Sequence, residues 1–504
     1  MLAIFGSNSN IFQNHNHLQV LITFFRISTA YKFIFLFLLF VGLRIPFFIN
    51  GIPLTVPELN WMLIGEKMNL GFSLYEEIWD DISPLSALVY WLVDRFFGKT
   101  VFAYQIIATI LVFGQAILLN DILRRRQVFV EISLLPGFLY IILTCCFVDF
   151  YTLSPALMAN TFLLLVINYT LLHVNEKSRR SSVFEIGAYI GVATLFYLPS
   201  FFIILVPLFS FMLLTGTKLK GYFLMLFAFL FTIGISFLTF YMSNDEYSFY
   251  RSYFESVIYV GKSFYLSPVG LLIIFTIPIA ITIWALMTIS GHRYTNYQNR
   301  CRRIMTFWFF ISAFSIFLST KISASNLIMM LPAMAFFLSH MFLNLKKAWL
   351  RELLFLLLIA SITFSGYATI YRFLPNQAFE TPVTNIRTNK LFVTENTQQT
   401  PLKNKKILVL GENLGYYNNG RLATPYLNWS LSQYHFANMN QYNILKEIYE
   451  NFRKDLPDVI IDEKNYFDKV LKPLPIIAKQ YTKQAGTNWY VRQGKNNQAT
   501  ISNR

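Results

Sequence analysis

Carboxylates are concentrated in one short stretch that follows the first apolar segment of the chain. Between residues 58 and 81, one lysine accompanies six carboxylates, those of Glu58, Glu66, Glu76, Glu77, Asp80 and Asp81. A carboxylate at a membrane surface can deprotonate a hydroxyl group as a general base, or it can hold a divalent cation. The stretch is therefore a candidate catalytic segment, and a solvated acidic loop is the alternative interpretation.

The composition indicates which elements must position these carboxylates. Hydrophobic residues make up 55% of the 504 residues and charged residues 13%, whereas about 25% of the residues in a soluble domain are charged. Apolar runs of about 20 residues recur, the length that crosses a bilayer as a helix, and predict a polytopic α-helical membrane protein with about eleven spans. The predicted spans are 33–50, 101–122, 130–148, 153–174, 183–198, 200–216, 219–242, 267–290, 303–320, 324–344 and 349–372.

Basic residues predict the orientation of these spans. Clusters of Lys and Arg follow every second predicted span, at 124–126, 177–180, 218–220, 293–303 and 346–347. Because cytoplasmic loops carry an excess of Lys and Arg, these loops and the N-terminus are expected to be cytoplasmic. The acidic stretch and the C-terminus are then outside. The net charge of +16 is explained by topology and anionic lipid, so no nucleic-acid partner is expected.

The same orientation decides how residues 84–97 are interpreted. Counting them as a span would reverse every later loop, and they contain Asp94 and Arg95. They are predicted to form an interfacial helix within a long outer loop at 51–100.

The composition changes after residue 373, which ends the predicted transmembrane domain 1–373. Residues 374–403 are predicted to be a linker, 404–493 a small α/β domain on the periplasmic side, and 494–504 a disordered tail. Within the domain, strands are expected at 405–411, 459–462 and 488–492, and an amphipathic helix at 441–454.

Several residue types recur in a characteristic order along the chain. In the outer loop an acidic residue precedes glycines, aromatic residues, an Asp, a Pro-Leu pair and a final Phe-Gly, namely Glu58, Gly65, Gly71, Tyr75, Trp79, Asp80, Pro84, Leu85, Phe97 and Gly98. Later, Asp149 precedes a span, and Lys321 precedes Leu331-Pro332. This order resembles GT-C glycosyltransferases, the polytopic enzymes that take sugars from polyprenyl-phosphate carriers. The bacterial members related to protein O-mannosyltransferases and aminoarabinose transferases are the most similar.

The resemblance implies a function at the outer face of the bacterial inner membrane. A sugar would pass from a polyprenyl-phosphate donor to a hydroxyl acceptor on a cell-envelope glycan, lipid or protein. Glu58 would act as the catalytic base. Asp80 and Asp149 would orient the acceptor or help to hold a divalent cation, although the sequence does not identify a metal or another cofactor.

Basic residues near the outer ends of the spans are candidates for binding the donor phosphate. Arg44 lies inside the first span, where an arginine costs about 2.5–3.5 kcal/mol on insertion scales. Its planar guanidinium suits a phosphate group, and snorkelling to lipid headgroups is the alternative. Arg251 and Lys321 lie in outer loops and could serve in the same way, or they could be ordinary interfacial charges.

Two departures from the family pattern leave other functions open. The acidic pair of the family is reduced to Pro57-Glu58, and its Lys-Pro-Pro is replaced by Ile82-Ser83-Pro84. An inactive relative, a transporter or flippase for lipid-linked saccharides, and a non-catalytic envelope subunit with a GT-C-like fold are therefore alternatives.

Reporter fusions test the predicted orientation. A fluorescent protein that folds only in the cytoplasm should be active after residue 126, and alkaline phosphatase, which needs the periplasm, should be active after residue 504. Each reporter should be inactive at the other position. Activity of one reporter at both positions would contradict the predicted number of spans.

Overall fold

The computed structural model describes residues 30–175, 180–256, 263–265, 268–288, 294–370, 391–393, 402–423, 425–484 and 486–493. The predicted cytoplasmic N-terminus, most of the predicted linker and the predicted tail lie outside these residues.

Helices form most of the described residues up to 370, because a helix satisfies its backbone hydrogen bonds internally in lipid. The helices are α1 (Ala30–Asn50), α2 (Val56–Asn69), α3 (Pro84–Phe97), α4 (Val101–Arg125), α5 (Leu135–Leu143), α6 (Pro155–Asn175), α7 (Arg180–Phe196), α8 (Leu205–Ser210), α9 (Leu219–Met242), α10 (Glu246–Phe249), α11 (Pro268–Thr288), α12 (Asn296–Ser315), α13 (Leu331–Asn344) and α14 (Ala348–Ile370). Short 3₁₀ or π segments extend several of them, at Val148–Tyr151, Leu198–Ile204, Phe211–Thr215, Tyr250–Glu255, Ile316–Leu318 and Ala324–Met330.

The described chain contains 7 helical segments that are long and apolar enough to cross a membrane. They are Val101–Arg125, Pro155–Asn175, Leu198–Thr215, Leu219–Met242, Asn296–Leu318, Ala324–Asn344 and Ala348–Tyr367. Shorter apolar helices lie at Phe33–Ile49, Ser181–Phe196 and Ile274–Thr288. The chain is therefore a polytopic helical membrane protein.

The predicted span 130–148 does not form a helix of membrane-crossing length. Only Leu135–Leu143 is helical there, a run of 9 residues, whereas a bilayer crossing needs about 20. All of these residues are buried. They are apolar because they form the interior of the bundle, and hydropathy alone does not distinguish such a helix from a lipid-exposed span.

The outer loop folds into α2 and α3, and α3 has the bounds predicted for the interfacial helix. Thr55 caps α2 by accepting a hydrogen bond from the Glu58 backbone N–H at 3.4 Å. The two helices pack closely at Gly65, where a Cβ atom would lie 2.6 Å from the Tyr90 carbonyl oxygen. Any larger residue at this position would push α2 away from α3.

A two-stranded sheet in the helical part of the chain comprises β1 (Ser263–Phe264) and β2 (Lys321–Ile322). The C-terminal part of the chain forms a mixed sheet of 5 strands. They are β3 (Lys406–Leu410), β4 (Arg421–Leu422), β5 (Val459–Asp462), β6 (Tyr481–Lys483) and β7 (Trp489–Arg492). Their order is β4-β3-β5-β7-β6; β3 pairs in parallel with β4 and β5, and β7 runs antiparallel to β5 and β6. The helices of the C-terminal part are α15 (Trp429–Ala437), α16 (Tyr442–Lys454), α17 (Phe467–Leu471) and α18 (Pro475–Ala478).

The strands β3, β5 and β7 and the helix α16 lie where the sequence predicts three strands and an amphipathic helix. Ile444, Ile448 and Phe452 recur at every fourth position of α16 and are buried. This spacing places them on one face of the helix, against the sheet. The boundaries of the predicted domains stay predictions.

The C-terminal sheet region packs directly against the outer loop. Lys67 of α2 forms an ion pair with Asp455 at 2.9 Å, and both side chains are almost fully buried. The Trp79 backbone N–H donates to the Pro425 carbonyl at 2.9 Å, and the Asn428 N–H donates to the Trp79 carbonyl at 3.0 Å. The loop that carries the acidic residues is thereby held between the helical bundle and the C-terminal part.

Candidate functional site

One lysine and two aspartates from distant parts of the chain form an ion cluster. Lys321 Nζ lies 3.3 Å from Asp80 Oδ2 and 3.0 Å from Asp81 Oδ1. The Asp80 and Asp81 side chains are 2% and 9% exposed, and that of Lys321 is 28% exposed. The Lys321 side chain is therefore the most exposed member of this cluster.

Neutral polar side chains complete the shell around the two carboxylates. Asn60 Nδ2 donates to Asp80 Oδ2 at 3.1 Å, and Asn428 Nδ2 donates to Asp81 Oδ1 at 3.1 Å. The Thr320 hydroxyl donates to Asp81 Oδ2. These partners come from α2, from the C-terminal part and from the segment before β2, so the cluster connects three regions of the fold.

The loop that carries Asp80 and Asp81 has a fixed conformation. Tyr75 has a φ of 74°, in the left-handed region that bulky residues rarely adopt. Its side chain is fully buried, and its hydroxyl donates to the Ile82 carbonyl at 2.6 Å. This bond ties the loop to the residue directly after Asp81 and holds both carboxylates in place.

The short two-stranded sheet positions Lys321. β1 and β2 pair in parallel, with Ser263 opposite Lys321. The Ser263 N–H donates to the Thr320 carbonyl at 2.9 Å, and the Tyr265 N–H donates to the Ile322 carbonyl at 3.0 Å. Because backbone bonds fix both sides of Lys321, its side chain is directed by β2 toward the aspartates.

A cavity that opens to solvent lies beside the cluster, and its empty space, open solvent included, is about 760 Å³. Its polar wall includes Asn60, Asp80, Asp81, Tyr265 and Lys321. Its apolar wall includes Pro155, Ala156, Leu198, Pro199 and Leu318, which lie at the ends of apolar helices. The cavity can therefore accommodate a ligand with a charged group and an apolar part.

The two carboxylates of the cluster differ in basicity. Burial raises the pKa of Asp80 above its ordinary value, although the charge of Lys321 opposes this shift. Burial also disfavours the charged form of Asp81, but the charge of Lys321 and the hydrogen bond from Thr320 outweigh it and lower the pKa. Asp80 is thus the stronger base of the pair.

Glu58 does not line the cavity. Pro57, Asn60 and Trp61 share the cavity-facing side of α2 at i, i+3 and i+4 spacing. Glu58 is two positions from Asn60, about 200° around the helix. Its side chain is fully buried, and neither carboxyl oxygen has a hydrogen-bond partner. The structure therefore does not support the predicted role of Glu58 as a base in contact with substrate.

Asp149 lies close to Glu58 but is directed toward the segment after Lys321. Asp149 Oδ2 accepts a hydrogen bond from the Ala324 N–H at 3.1 Å. Burial raises the pKa of Asp149 to about 6, while hydrogen bonds from Ser325, Ala324 and Ser323 oppose the shift. Ser323 and Ser325 line the cavity. Asp149 thus supports the cavity wall from behind.

Burial raises the pKa of Glu58 to about 8. The nearby backbone of Thr55 opposes this shift, and the negative charge of Asp149 adds to it. Glu58 and Asp149 are therefore electrostatic neighbours, and the carboxyl of Glu58 is mainly protonated at neutral pH.

The structure does not support a phosphate contact for Arg44. Its side chain is fully buried in the bundle. Arg44 Nη1 donates to Thr109 Oγ1 at 2.7 Å, and Nη2 donates to the Phe150 carbonyl at 3.3 Å. The guanidinium also stacks on Tyr151, 4.4 Å from the ring centroid. These contacts use Arg44 to join α1, α4 and the Val148–Tyr151 turn.

Arg251 also lies outside the cavity wall. Its guanidinium carbon is 5.6 Å from the centroid of the Trp79 ring. The Trp79 ring also contacts the rings of Tyr426 and His435 of the C-terminal part. Arg251 therefore belongs to the contact between the outer loop and the C-terminal part. Of the three predicted phosphate-binding residues, only Lys321 lines the cavity.

A resident metal ion has no evident set of protein ligands in the described part of the chain. No group of three or more His, Cys, Asp or Glu side chains there could hold one. Asp80 and Asp81 could supply two oxygens, but Lys321 already occupies the space between them.

Four residues of the cluster and its polar shell, namely Asp81, Asn60, Asn428 and Thr320, were not predicted as site residues from the sequence. Asp81 is adjacent to Asp80, and this adjacency is the only local signal for it. For Asn60, the local signal is its i, i+3 spacing from Pro57, which places both residues on one face of α2. Asn428 has no local signal, because its place in the site depends on how the C-terminal part packs against the loop.

More than half of the chain matches a known protein family. Residues 84–374 match a family described as a family of unknown function, DUF6427. The chain belongs to the DUF6427 family. The matched region contains α3, Asp149 and Lys321, whereas Asp80 and Asp81 precede it. A search among curated proteins gives no match.

The fold of this DUF6427 chain is similar to that of a solved polytopic membrane protein, ArnT. It is similar to ArnT from Cupriavidus metallidurans bound to undecaprenyl phosphate, with a TM-score of 0.54 and 11% identity over 92% of this chain and 98% of ArnT. The apo state of the same ArnT gives a TM-score of 0.52 and 12% identity, with coverage of 92% and 98%. At these identities the likeness establishes the fold alone.

The buried carboxyl of Glu58 predicts a pH-dependent effect of Glu58→Gln on stability. Its folded-state pKa, about 8, exceeds that of an unfolded chain. The resulting stabilisation is present at low pH and is lost as the pH rises toward the folded-state pKa. Because glutamine stays neutral, the stability of the variant relative to wild type should increase by a few kcal/mol between about pH 5 and about pH 9.

Thermal unfolding in detergent across this pH range measures the effect. Glu450→Gln is the matched control, since its carboxyl is 55% exposed, and its difference from wild type should stay nearly constant. A constant difference for Glu58→Gln as well would show that Glu58 is ionised in the folded protein.

Proposed function

We propose that this chain is a glycosyltransferase of the bacterial inner membrane that takes a sugar from a polyprenyl-phosphate donor. The Asp80–Asp81–Lys321 cluster in the cavity wall is the observation that carries the proposal. The GT-C fold supports it, since ArnT with the same fold has been solved with undecaprenyl phosphate. The acceptor would be a hydroxyl group on the periplasmic side, in a cell-envelope glycan, lipid or protein.

Lys321 is proposed to bind the donor phosphate. It is the cation in the cavity wall, and two carboxylates hold its ammonium group at the edge of the cavity. A phosphate could approach its exposed side, while the polyprenyl chain would lie along the apolar wall formed by residues such as Leu198 and Leu318. The lysine would then stabilise the negative charge on the leaving polyprenyl phosphate.

Asp80 is proposed to act as the general base. Its raised pKa makes it more basic than Asp81, and it lines the cavity beside Lys321. It would accept the proton of the acceptor hydroxyl as that oxygen attacks the anomeric carbon of the sugar. A single displacement of this kind inverts the configuration at that carbon.

Asp149 and Glu58 are proposed to act as positioning residues. Asp149 holds the backbone of Ala324, close to the cavity-lining Ser323 and Ser325. Glu58 lies behind the same wall and faces Asp149 electrostatically. Neither residue needs to contact the substrate for this role.

Binding of undecaprenyl phosphate tests the assignment of Lys321. Native mass spectrometry of the purified protein should show a complex with undecaprenyl phosphate and a much weaker one with undecaprenol, which lacks the phosphate. Lys321→Gln should weaken the phosphate-dependent binding by about tenfold or more, since a charged hydrogen bond is lost. Lys346→Gln, an exposed lysine at the end of α13, is the control and should bind normally. Equal binding by Lys321→Gln and wild type would contradict the assignment.

Sugar transfer distinguishes the enzyme from the transporter and the non-catalytic subunit. Radiolabelled polyprenyl-phosphate sugars extracted from bacterial membranes are incubated with the protein and with a cell-envelope fraction. We expect label to leave the chloroform-soluble donor, and Asp80→Asn to slow this release roughly 10²–10⁴-fold while undecaprenyl phosphate still binds. If the donor binds and stays chemically intact, the protein is not a transferase.

A further inference from the structure

A second cavity adjoins the first on the side of the C-terminal part. Its empty space, open solvent included, is about 500 Å³. Three residues, Asn60, Tyr265 and Lys321, line both cavities. The two cavities therefore share a wall that contains Lys321, the ion-pair partner of Asp80.

The C-terminal part provides most of the wall of this second cavity. Gly411 and Glu412 directly follow β3, at the carboxyl end of a strand that pairs in parallel with β4 and β5. In open α/β sheets this edge is where ligands bind. Asn428 forms another part of the wall, and its bonds to the Trp79 carbonyl and Asp81 fix it to the outer loop.

The accessible side chains of this second cavity are polar. Its partly exposed lining residues are Ser263, Lys321, Glu412 and Ser430, which offer two hydroxyls, an ammonium and a carboxylate. Its apolar lining residues, such as Leu427 and Trp429, are buried. This cavity offers less apolar area to a hydrocarbon chain than the first cavity does, whereas sugar hydroxyls can both donate to and accept from its polar groups.

The first cavity differs in this respect, because its apolar wall lies at the ends of apolar helices. A donor with a polyprenyl chain is suited to the first cavity, and a water-soluble ligand is suited to the second. Lys321 and Asn60 at the junction would place a group from the second cavity beside Asp80.

We propose that the second cavity binds the acceptor and that the acceptor is a saccharide, either free or as part of a larger glycan or glycolipid. This inference rests on the proposed function. An acceptor hydroxyl gives its proton to Asp80, its oxygen forms a bond to the anomeric carbon of the donor sugar, and the bond from that carbon to the phosphate oxygen breaks. Polyprenyl phosphate leaves with the electron pair of that bond.

Saturation-transfer NMR with defined sugars tests the second cavity separately from the first. The probes are lactose, cellobiose and N,N′-diacetylchitobiose, with a tetraserine peptide as a hydroxyl-bearing ligand of another class. At least one disaccharide should receive saturation from the wild-type protein. Ser430→Trp, which fills the cavity, and Glu412→Gln, which removes its carboxylate, should each weaken this binding by about tenfold. Thr482→Trp, an exposed position on β6, is the control and should leave the signal unchanged.

Undecaprenyl phosphate binding is measured on the same variants, together with their thermal unfolding. Both should match wild type in Ser430→Trp and Glu412→Gln, which shows that the fold and the first cavity are intact. The proposal that the second cavity binds a saccharide would be overturned by any of three results. These are no sugar signal in the wild type, a signal that neither variant reduces, and binding of tetraserine in place of the sugars. These results leave the proposed function standing if undecaprenyl phosphate still binds and donor is still consumed. If the wild type neither binds undecaprenyl phosphate nor consumes the donor, the proposed function is refuted instead.

Discussion

The burial of two adjacent carboxylates beside one ammonium group is the constraint on which the folding of the loop at 51–100 depends. Burying an unpaired carboxylate costs several kcal/mol. Asp80 and Asp81 can stay ionised in the structure because Lys321 and neighbouring polar groups lie against them. Since Lys321 is 241 positions from Asp80 in sequence, this pairing requires the outer loop and the segment before α13 to meet. The cavity forms where they meet.

The C-terminal part contributes to the same cluster and is therefore more than an appended domain. Asn428 donates directly to Asp81. The buried Lys67–Asp455 pair ties α2 to the end of α16, and Lys406 of β3 contacts the other oxygen of Asp455 at 2.6 Å. Breaking a buried pair of this kind typically costs about 3–5 kcal/mol. A change in how the C-terminal part packs would consequently move Asn428, which donates a hydrogen bond to Asp81, and would alter the site.

Much of the architecture could be predicted from the sequence, since hydropathy and period determine it locally. α3 has the predicted bounds, and β5 and α16 follow the apolar patterns at 459–462 and 441–454. The predicted span at 130–148 does not form a helix of membrane-crossing length. Hydropathy could not show this, because an apolar run has the same composition whether lipid or protein surrounds it. Its helix is only Leu135–Leu143 and is buried.

The candidate site was predicted in part. Asp80 and Lys321 could be identified from residue type and position, and the structure brings them together. The family resemblance assigns Glu58 as the base, yet the phase of α2 turns its side chain away from the cavity. The guanidinium of Arg44 could bind a phosphate group by its chemistry, but it is buried and donates to the Thr109 hydroxyl and the Phe150 carbonyl. Such outcomes depend on tertiary packing, which residue spacing does not encode.

The most direct measurement of the central claim is a cryo-EM structure of the protein in nanodiscs with undecaprenyl phosphate. The account predicts density for the phosphate within hydrogen-bond distance, about 3 Å, of Lys321 Nζ. The lipid tail should leave along the apolar wall that includes Leu198 and Leu318. Phosphate density at another basic residue, with Lys321 still enclosed by Asp80 and Asp81 and the cavity empty, would contradict it.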